Sequence, residues 1–199
     1  MRRSVDQLIA SLVTAVLAPV LAALAILVRW RLGRPILFHQ ERTGLHGAPF
    51  TLWKLRTMTD ERGPDGELLP DADRLTSFGR LLRASSLDEL PELWNVIRGE
   101  MGLVGPRPLP TSYLSRYTPE EARRHEVRPG ITGWAQVNGR NAVSWEDRLA
   151  MDVWYVDNRS FRLDLKILLL TVRAVVSRHG MSAEGHATMT ELRPPDVSP

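Results

Sequence analysis

Residues 8–28, Leu-Ile-Ala-Ser-Leu-Val-Thr-Ala-Val-Leu-Ala-Pro-Val-Leu-Ala-Ala-Leu-Ala-Ile-Leu-Val, carry no charge, and twelve of these 21 residues are Leu, Ile or Val. As a helix the stretch would be about 31 Å long, close to the hydrocarbon thickness of a bilayer. Its twelve aliphatic side chains contribute roughly −4 to −7 kcal/mol to insertion, before the polar residues and the proline are counted. The stretch therefore predicts a membrane-inserted segment, and we divide the chain into a membrane part at 1–34 and a cytosolic domain at 35–199.

The way in which this segment inserts depends on Pro19. Its ring nitrogen has no hydrogen to donate to the carbonyl of Ala15, so we expect a bend at Ala18-Pro19. Arginines flank the segment on both sides, at 2 and 3 and at 29, 31 and 34, and the positive-inside rule then places both ends in the cytoplasm. These features predict a re-entrant helix. The alternatives are a straight span with a proline kink and a signal peptide cleaved after the small-x-small pattern Ala23-Leu24-Ala25.

Residues 86–93, Ser-Leu-Asp-Glu-Leu-Pro-Glu-Leu, contain a pair of adjacent acids, Asp88 and Glu89. Ser86 followed three residues later by Glu89 has the form of a capping box, which predicts a helix starting at Ser86 and ending near residue 98. The positive end of that helix would keep Asp88 ionised and would attract an anionic ligand. Pro91 conflicts with such an early start, because it lacks the amide that an early backbone bond needs.

Arginines upstream of this octet make chemistry on a phosphate plausible. Arg80 and Arg83 can hold phosphate oxygens by charge-assisted hydrogen bonds while a carboxylate attacks phosphorus. Acidic first turns are also common in helices without a catalytic role, so the octet alone leaves both readings open. Further along, Arg107 lies between Pro106 and Pro108, which restrict the backbone around it. A guanidinium fixed in this way suits a planar or phosphorylated ligand, and a rigid surface loop is the structural alternative.

The composition narrows the class of protein. Cysteine is absent, so disulfides and thiolate metal sites are excluded. Lys and Arg number 26 and Asp and Glu 23, a net charge of only +3. No aromatic RNA-binding motif, zinc finger or long basic run accompanies that surplus, so we do not expect nucleic-acid binding. The five histidines lack the spacing of a zinc peptidase.

Local patterns predict the remaining elements. Strands are expected at 35–42 and 50–58, and a polar loop at 60–73. Helices are expected at 75–83, 118–124, 144–157 and 163–178, the last one lying on the core or on the membrane interface because Lys166 and Arg173 interrupt it. The segment 99–110 is too rich in Gly and Pro for a regular element. The predicted class is α+β and predominantly helical: a re-entrant membrane helix and a small cytosolic catalytic domain with short strands and interfacial amphipathic helices.

Together, several motifs in order resemble a known family over essentially the whole chain. They follow the apolar segment and are Phe-Thr-Leu-Trp-Lys-Leu-Arg-Thr-Met at 50–58, Ser-Leu-Asp-Glu-Leu-Pro-Glu-Leu-Trp-Asn-Val at 86–96, Val-Gly-Pro-Arg-Pro-Leu at 104–109, and Arg-Pro-Gly-Ile-Thr-Gly-Trp-Ala-Gln-Val-Asn-Gly-Arg-Asn at 128–141. The chain resembles the bacterial sugar transferases of the monotopic phosphoglycosyl transferase family. The resemblance implies transfer of a sugar 1-phosphate from a UDP-sugar to undecaprenyl phosphate, with release of UMP, at the cytoplasmic face of the bacterial inner membrane.

The resemblance also implies roles for individual residues. Asp88 matches the nucleophile that forms a covalent phosphosugar intermediate, and Glu89 matches its acidic partner. Mg²⁺ is the implied cofactor, with Asp88 and Glu89 as its protein ligands, since a carboxylate attacking a diphosphate needs its charge neutralised. Motif positions with an implied phosphate-binding or structural role are Arg83, Lys54, Arg56 and Arg140, and those at the uridine end of the donor are Pro106, Arg107 and Pro108.

Two points depart from the family pattern or depend on weaker signals. The family usually has Ser-Pro at the membrane bend where this chain has Ala18-Pro19, so Thr14 or Ser11 would have to supply the missing hydroxyl. The minimal length and the tail at 182–188 resemble the short branch that uses UDP-N,N′-diacetylbacillosamine, which we rank first as donor. Other UDP-N-acetylhexosamines follow, and the alternative is UDP-glucose or UDP-galactose for exopolysaccharide. A homodimer is left open.

Two readings from other classes remain at this point. The chain could be a catalytically inactive membrane scaffold, or a basic protein that binds anionic lipid at the membrane surface. Neither function requires adjacent acids beside a phosphate-binding arginine, so the intact pair Asp88 and Glu89 disfavours both.

Overall fold

The computed structural model describes residues 2–139, 143–177 and Leu192, and helices make up most of it. The helices are α1 (Arg2–Arg31), α2 (Asp71–Arg74), α3 (Ser77–Ala84), α4 (Glu92–Arg98), α5 (Pro119–Ala122), α6 (Trp134–Asn138), α7 (Trp145–Asn158) and α8 (Phe161–Ser177). The strands are β1 (Leu37–Thr43), β2 (Pro49–Leu55), β3 (Gly102–Val104) and β4 (Gly130–Thr132). Short 3₁₀ turns lie at Leu45–Gly47, Leu87–Glu89, Thr111–Arg116 and Arg123–Glu126. The predominantly helical α+β class is confirmed.

Strands β1 and β2 form an antiparallel hairpin, in agreement with the two strands expected from the sequence. Phe38 lies opposite Lys54, and Arg42 lies opposite Phe50. The buried side chains of Leu52 and Leu55 join β2 to two separate hydrophobic clusters. The hairpin therefore links both clusters and carries Lys54 between them.

Strands β3 and β4 form a parallel pair that the sequence did not predict. We expected 99–110 to lack regular structure, but Gly102 pairs with Gly130 and Val104 pairs with Thr132. Glycine makes this approach feasible, because a Cβ on Gly130 would lie only 2.1 Å from the backbone nitrogen of Gly105. The amide of Gly130 then donates to the carbonyl of Pro106 at 3.0 Å. This pair fixes the start of the Pro-Arg-Pro loop.

Helix α1 is the one described helix that is long and apolar enough to cross a membrane, judged by length and composition. It runs without a break through Ala18 and Pro19, both of which are exposed. Among the described residues, the hydroxyl of Thr14 has no hydrogen-bond partner and that of Ser11 donates to the Gln7 carbonyl, so neither replaces the serine of the family's usual bend.

Both ends of α1 pack against the rest of the chain. Near its start, Ala10 is fully buried beside Leu52, Leu93 and Val96, and Gln7 donates to the Ile97 carbonyl at 2.8 Å. Near its end, the cluster contains Leu24, Val28 and Leu32 together with Leu55, Leu82, Leu87 and Leu90. The helix thus contributes core residues to two clusters, while its middle is largely exposed.

Candidate active site

The turn at Leu87–Glu89 differs from the helix start expected there. Ser86 has φ 54° in the left-handed region and its side chain does not cap the turn, so the predicted capping box is wrong. Pro91 explains the difference: it has no amide to donate to the carbonyl of Leu87 and its ring crowds that carbonyl, which disfavours an α-helix running through it from Ser86. The chain instead closes tighter bonds, from the Glu89 amide to the Ser86 carbonyl and from Leu90 to Leu87, and α4 begins at Glu92. Asp88 therefore does not lie in the first turn of an α-helix.

Glu89 holds two cations that come from distant segments. Its Oε1 atom lies 2.8 Å from Nζ of Lys54 on β2 and 2.6 Å from Nη2 of Arg107 in the Pro-Arg-Pro loop. Burial alone would raise the pKa of Glu89, but the charges of Arg107 and Lys54 and their hydrogen bonds outweigh it and hold that pKa well below its usual range. Glu89 is therefore an anion under ordinary conditions and keeps both cations in place.

Asp88, next to it, has a different electrostatic environment. Its residue surface is only 7% exposed, and burial raises its pKa to about 6, with the charge of Glu89 acting in the same direction. Lys54, Arg107 and Arg83 oppose this shift. Two adjacent carboxyl groups with separated pKa values are a common arrangement at catalytic sites, since each can then take a different role.

Glu92 is a third acid of the site that sequence reasoning missed. It is 2% exposed, and its Oε1 atom lies 3.1 Å from Nζ of Lys54. Burial raises the pKa of Glu92 to about 7, Lys54 and Arg107 oppose the shift, and Glu89 adds to it. The residue stands within the octet that drew attention to Asp88. If the start of the helix had been predicted at Pro91, Glu92 would have been expected in the first turn of α4, close to Asp88 and Glu89.

A buried ion pair, Arg124 with Asp152, holds the backbone of the Pro-Arg-Pro loop by a hydrogen bond. Pro106 and Pro108 are buried, whereas the Arg107 side chain is 36% exposed and faces Glu89. The Arg107 carbonyl accepts a hydrogen bond of 2.7 Å from Nη2 of Arg124, which also lies 2.7 Å from Oδ2 of Asp152. Arg124 and Asp152, from the turn before β4 and from α7, were not singled out by the sequence.

The other predicted site residues fall into three groups. Arg83 donates from Nε to Oγ1 of Thr57 at 3.0 Å, and its charge acts on Asp88, so it lies near the acid pair. Arg56 instead donates to the carbonyls of Met58 and Arg34 and pairs with Asp60, which fixes the chain after α1. Arg140 and the tail at 182–188 lie outside the described residues.

The expected magnesium ion fits this site only with help from a substrate. Within 2–139, 143–177 and 192, no group of three or more acids or histidines could hold a metal ion. Mg²⁺ commonly uses one or two carboxylates and takes its other ligands from substrate phosphates and water. Asp88 suits that pattern, because a nearby cation would offset the burial that raises its pKa. Glu89 fits less simply, since its Oε1 atom already contacts Lys54 and Arg107.

Comparison with known proteins identifies the family of this chain. The family model described as bacterial sugar transferase matches residues 1–178, which include every site residue described above. The chain belongs to the bacterial sugar transferase family. The resemblance drawn from the motifs is thereby confirmed, and the protein is an enzyme of the transferase class.

Three relatives of this sugar transferase are similar to it over most of its length. An uncharacterized sugar transferase, EpsL, of Bacillus subtilis is 62% identical over 161 residues, which is 81% of this chain and 80% of the relative. A UDP-glucose:undecaprenyl-phosphate glucose-1-phosphate transferase of Caulobacter vibrioides is 45% identical over 88% of this chain and 70% of the relative. A UDP-galactose-lipid carrier transferase of Erwinia amylovora is 40% identical over 90% of this chain and 41% of that longer relative. These names favour the hexose alternative over the diacetylbacillosamine donor that we ranked first.

Two adjacent arginines of the sugar transferase test the support behind the loop. Replacing Arg124 by Met leaves Asp152 buried without its partner, and we expect a loss of about 3–5 kcal/mol in the free energy of unfolding. Replacing Arg123 by Met removes only solvent-screened pairs with Glu120, Glu126 and Asp157, and we expect a clearly smaller loss than for Arg124. Denaturant unfolding of the purified full chain in nanodiscs measures both. Equal losses would show that the Arg124 pair does not support the loop.

Proposed function

We propose that this sugar transferase moves hexose 1-phosphate from UDP-glucose or UDP-galactose to undecaprenyl phosphate, with release of UMP. The observation that carries the proposal is the buried Asp88 beside Glu89, Lys54 and Arg107. A carboxylate attacking a diphosphate needs its own charge exposed to the phosphorus and the phosphate charges neutralised. Lys54, Arg83 and Arg107, which all act on Asp88, supply that neutralisation from three different segments: β2, α3 and the Pro-Arg-Pro loop.

In the first step, a carboxylate oxygen of Asp88 attacks the phosphorus that bears the sugar. A bond forms between that oxygen and phosphorus, and the bond between phosphorus and the oxygen bridging the two phosphoryl groups breaks. Its electron pair leaves with UMP. Arg107 and Lys54, held by Glu89, lie where they can stabilise the charge that develops on the leaving phosphate. A magnesium ion held by Asp88, Glu89 and the donor phosphates would add further neutralisation.

In the second step, the phosphate of the lipid acceptor attacks the same phosphorus. A phosphate oxygen of undecaprenyl phosphate forms the new bond, and the bond between phosphorus and Asp88 breaks. The products are undecaprenyl-diphosphate-sugar and the free carboxylate of Asp88, ready for another donor. The donor reacts first and leaves its phosphosugar on Asp88, and the acceptor then attacks that intermediate. This order predicts ping-pong kinetics.

We further propose that α1 enters the cytoplasmic leaflet of the bacterial inner membrane and returns to the same face. Ala10 near the start of α1 and Val28 near its end both pack into clusters of the domain that carries the site, and these clusters include Leu52 and Leu55 on β2. A helix whose two ends both pack against one domain supports a return to the same membrane face, and the arginines at both ends favour the cytoplasmic side.

The covalent intermediate is tested by changing the proposed nucleophile. Asp88→Asn should lower turnover by at least about 10³-fold, because an amide is a poor nucleophile toward phosphorus. Donor labelled in the sugar should mark the wild-type protein in the absence of acceptor and should leave Asp88→Asn unlabelled. Asp73→Asn, in an exposed position on α2, is the matched control and should retain activity. Full activity of Asp88→Asn would assign the nucleophile elsewhere.

The membrane arrangement is tested by cysteine labelling on a background without cysteine. Single cysteines are placed at the exposed positions Ser4, in the first turn of α1, and Leu37, after its end. A thiol reagent that cannot cross the membrane should reach both from the cytoplasmic side alone. Periplasmic labelling at Ser4 would establish a straight span and exclude the re-entrant arrangement.

The donor is tested by comparing catalytic efficiencies. We expect kcat/KM for UDP-glucose or UDP-galactose to exceed that for UDP-N-acetylglucosamine, UDP-N-acetylgalactosamine and UDP-N,N′-diacetylbacillosamine. A site that hydrogen-bonds a sugar hydroxyl leaves polar groups unpaired when that hydroxyl is replaced. Release of UMP in the presence of undecaprenyl phosphate provides the readout. Preference for any acetamido sugar over both hexoses would overturn the hexose proposal, and preference for UDP-N,N′-diacetylbacillosamine would restore the donor ranked first from the tail.

A further inference from the structure

Arg42 shares a face of the β-hairpin with Lys54, although no motif drew attention to it. Residues directly opposite each other in an antiparallel pair point to the same side, and alternate pairs share that side. Arg42 lies opposite Phe50, Gln40 opposite Leu52, and Phe38 opposite Lys54. The face that carries Lys54 to the acids therefore also carries Arg42, two alternate pairs further along.

The backbone next to Arg42 is joined to the Pro-Arg-Pro loop. Arg42 forms an isolated bridge with Pro110, and the amide of Thr43 donates to the carbonyl of Leu109 at 2.9 Å. Arg107 and Glu92 both act electrostatically on Arg42, as do the hydroxyl groups of the flanking tyrosines 113 and 117. Arg42, on β1, therefore lies near Arg107 and belongs to the same site.

The charge of Arg42 is less well compensated than that of Arg107. Arg107 has Glu89 as an ion-pair partner, whereas the hydrogen bond of Arg42 goes from Nη2 to the neutral amide oxygen of Gln40 at 2.7 Å. Its Nε atom is buried without a hydrogen-bond partner in the described part of the chain. Burial and the neighbouring Arg107 lower the pKa of Arg42, yet a guanidinium keeps its charge in proteins. Arg42 and Arg107 are neighbouring guanidinium groups, and of the two only Arg107 has a carboxylate at ion-pair distance among the described residues, so together they attract a further anion.

The position relative to Asp88 indicates which phosphate is involved. Lys54 contacts the acid Glu89, whereas Arg42 lies two alternate pairs further along the same face of the hairpin, roughly 13 Å away along the strands. If Asp88 attacks the phosphorus that bears the sugar, the more distant Arg42 lies toward the other phosphoryl group of the donor. We propose that Arg42 binds the phosphate that leaves as part of UMP, forming with Arg107 a two-arginine site for the donor diphosphate. This inference rests on the proposed function and adds a donor-binding residue to it.

Binding measurements on the full chain in nanodiscs test this role without requiring turnover. The probes are UMP and inorganic pyrophosphate, and the variants are Arg42→Met, Arg42→Lys and the control Arg62→Met in the exposed loop between β2 and α2. We expect Arg42→Met to weaken binding of both probes by about tenfold or more, since a charge-assisted contact is lost. Arg42→Lys should keep part of the affinity, and Arg62→Met should bind like the wild type. In turnover, KM for the UDP-sugar should rise more than kcat falls.

The outcomes separate this inference from the proposed function. Unchanged binding of UMP and pyrophosphate by Arg42→Met would overturn the inference, even if the wild type releases UMP from UDP-sugars. Loss of UMP binding with normal pyrophosphate binding would also overturn it, because the contact would then be with the nucleoside. Binding of pyrophosphate that depends on Arg42 in a protein that never releases UMP would keep the anion site and reject the donor chemistry. Should Arg42→Met fail to fold, Arg42→Gln decides: weaker binding of both probes by the folded variant supports the role of the charge, and affinity equal to that of Arg62→Met overturns it.

Discussion

The carboxylate of Glu89 organises the site, because it joins three segments that are distant in the sequence. Its Oε1 atom contacts Lys54 from the hairpin and Arg107 from the Pro-Arg-Pro loop, while Glu89 itself belongs to the turn that carries Asp88. Its side chain is 19% exposed, so solvent screens these contacts less than it would at an open surface. A buried carboxylate without partners would be costly, and two cations without an anion between them would repel each other. Each group thus makes the position of the others favourable.

That arrangement also decides how the neighbouring acids differ. Glu89 has both cations at hydrogen-bond distance and its pKa is lowered, whereas burial dominates at Asp88 and Glu92 and raises theirs to about 6 and about 7. The site therefore holds one firmly ionised carboxylate and two whose charge is less stable. A divalent cation bound with the donor would favour the ionised form of Asp88, whereas the negative charges of the diphosphate alone would disfavour it. The proposed nucleophile therefore depends on the cations around the donor to stay ionised.

The sequence predicted much of this architecture, and its failures have physical causes. Amphipathic and apolar patterns located α1, the hairpin, α3, α7 and α8, since each depends on local periodicity. The helix expected from Ser86 was wrong because a capping pattern was given more weight than the missing amide of Pro91. The pair β3 and β4 was missed because its close approach needs glycines that, in one dimension, look like loop residues. The roles of Asp88, Lys54 and Arg107 could be expected from motifs. Arg42 and the Arg124 pair were missed because they depend on contacts between distant segments, 28 residues apart for Arg124 and Asp152. Glu92 was missed because the start of the helix was placed at Ser86 and not after Pro91.

The packing of α1 connects membrane insertion with the geometry of the site. Ala10 and Val28 are both fully buried, and their clusters contain Leu93 on α4 and Leu87 in the turn next to Asp88. Helix α1 is therefore part of the core that supports Asp88. If α1 enters the membrane as proposed, a change in its depth or bend would alter the packing beneath Leu87 as well as the position of the domain at the bilayer. This coupling suits the proposed reaction, whose second substrate is a lipid, because α1 and the turn that carries Asp88 share the same buried side chains.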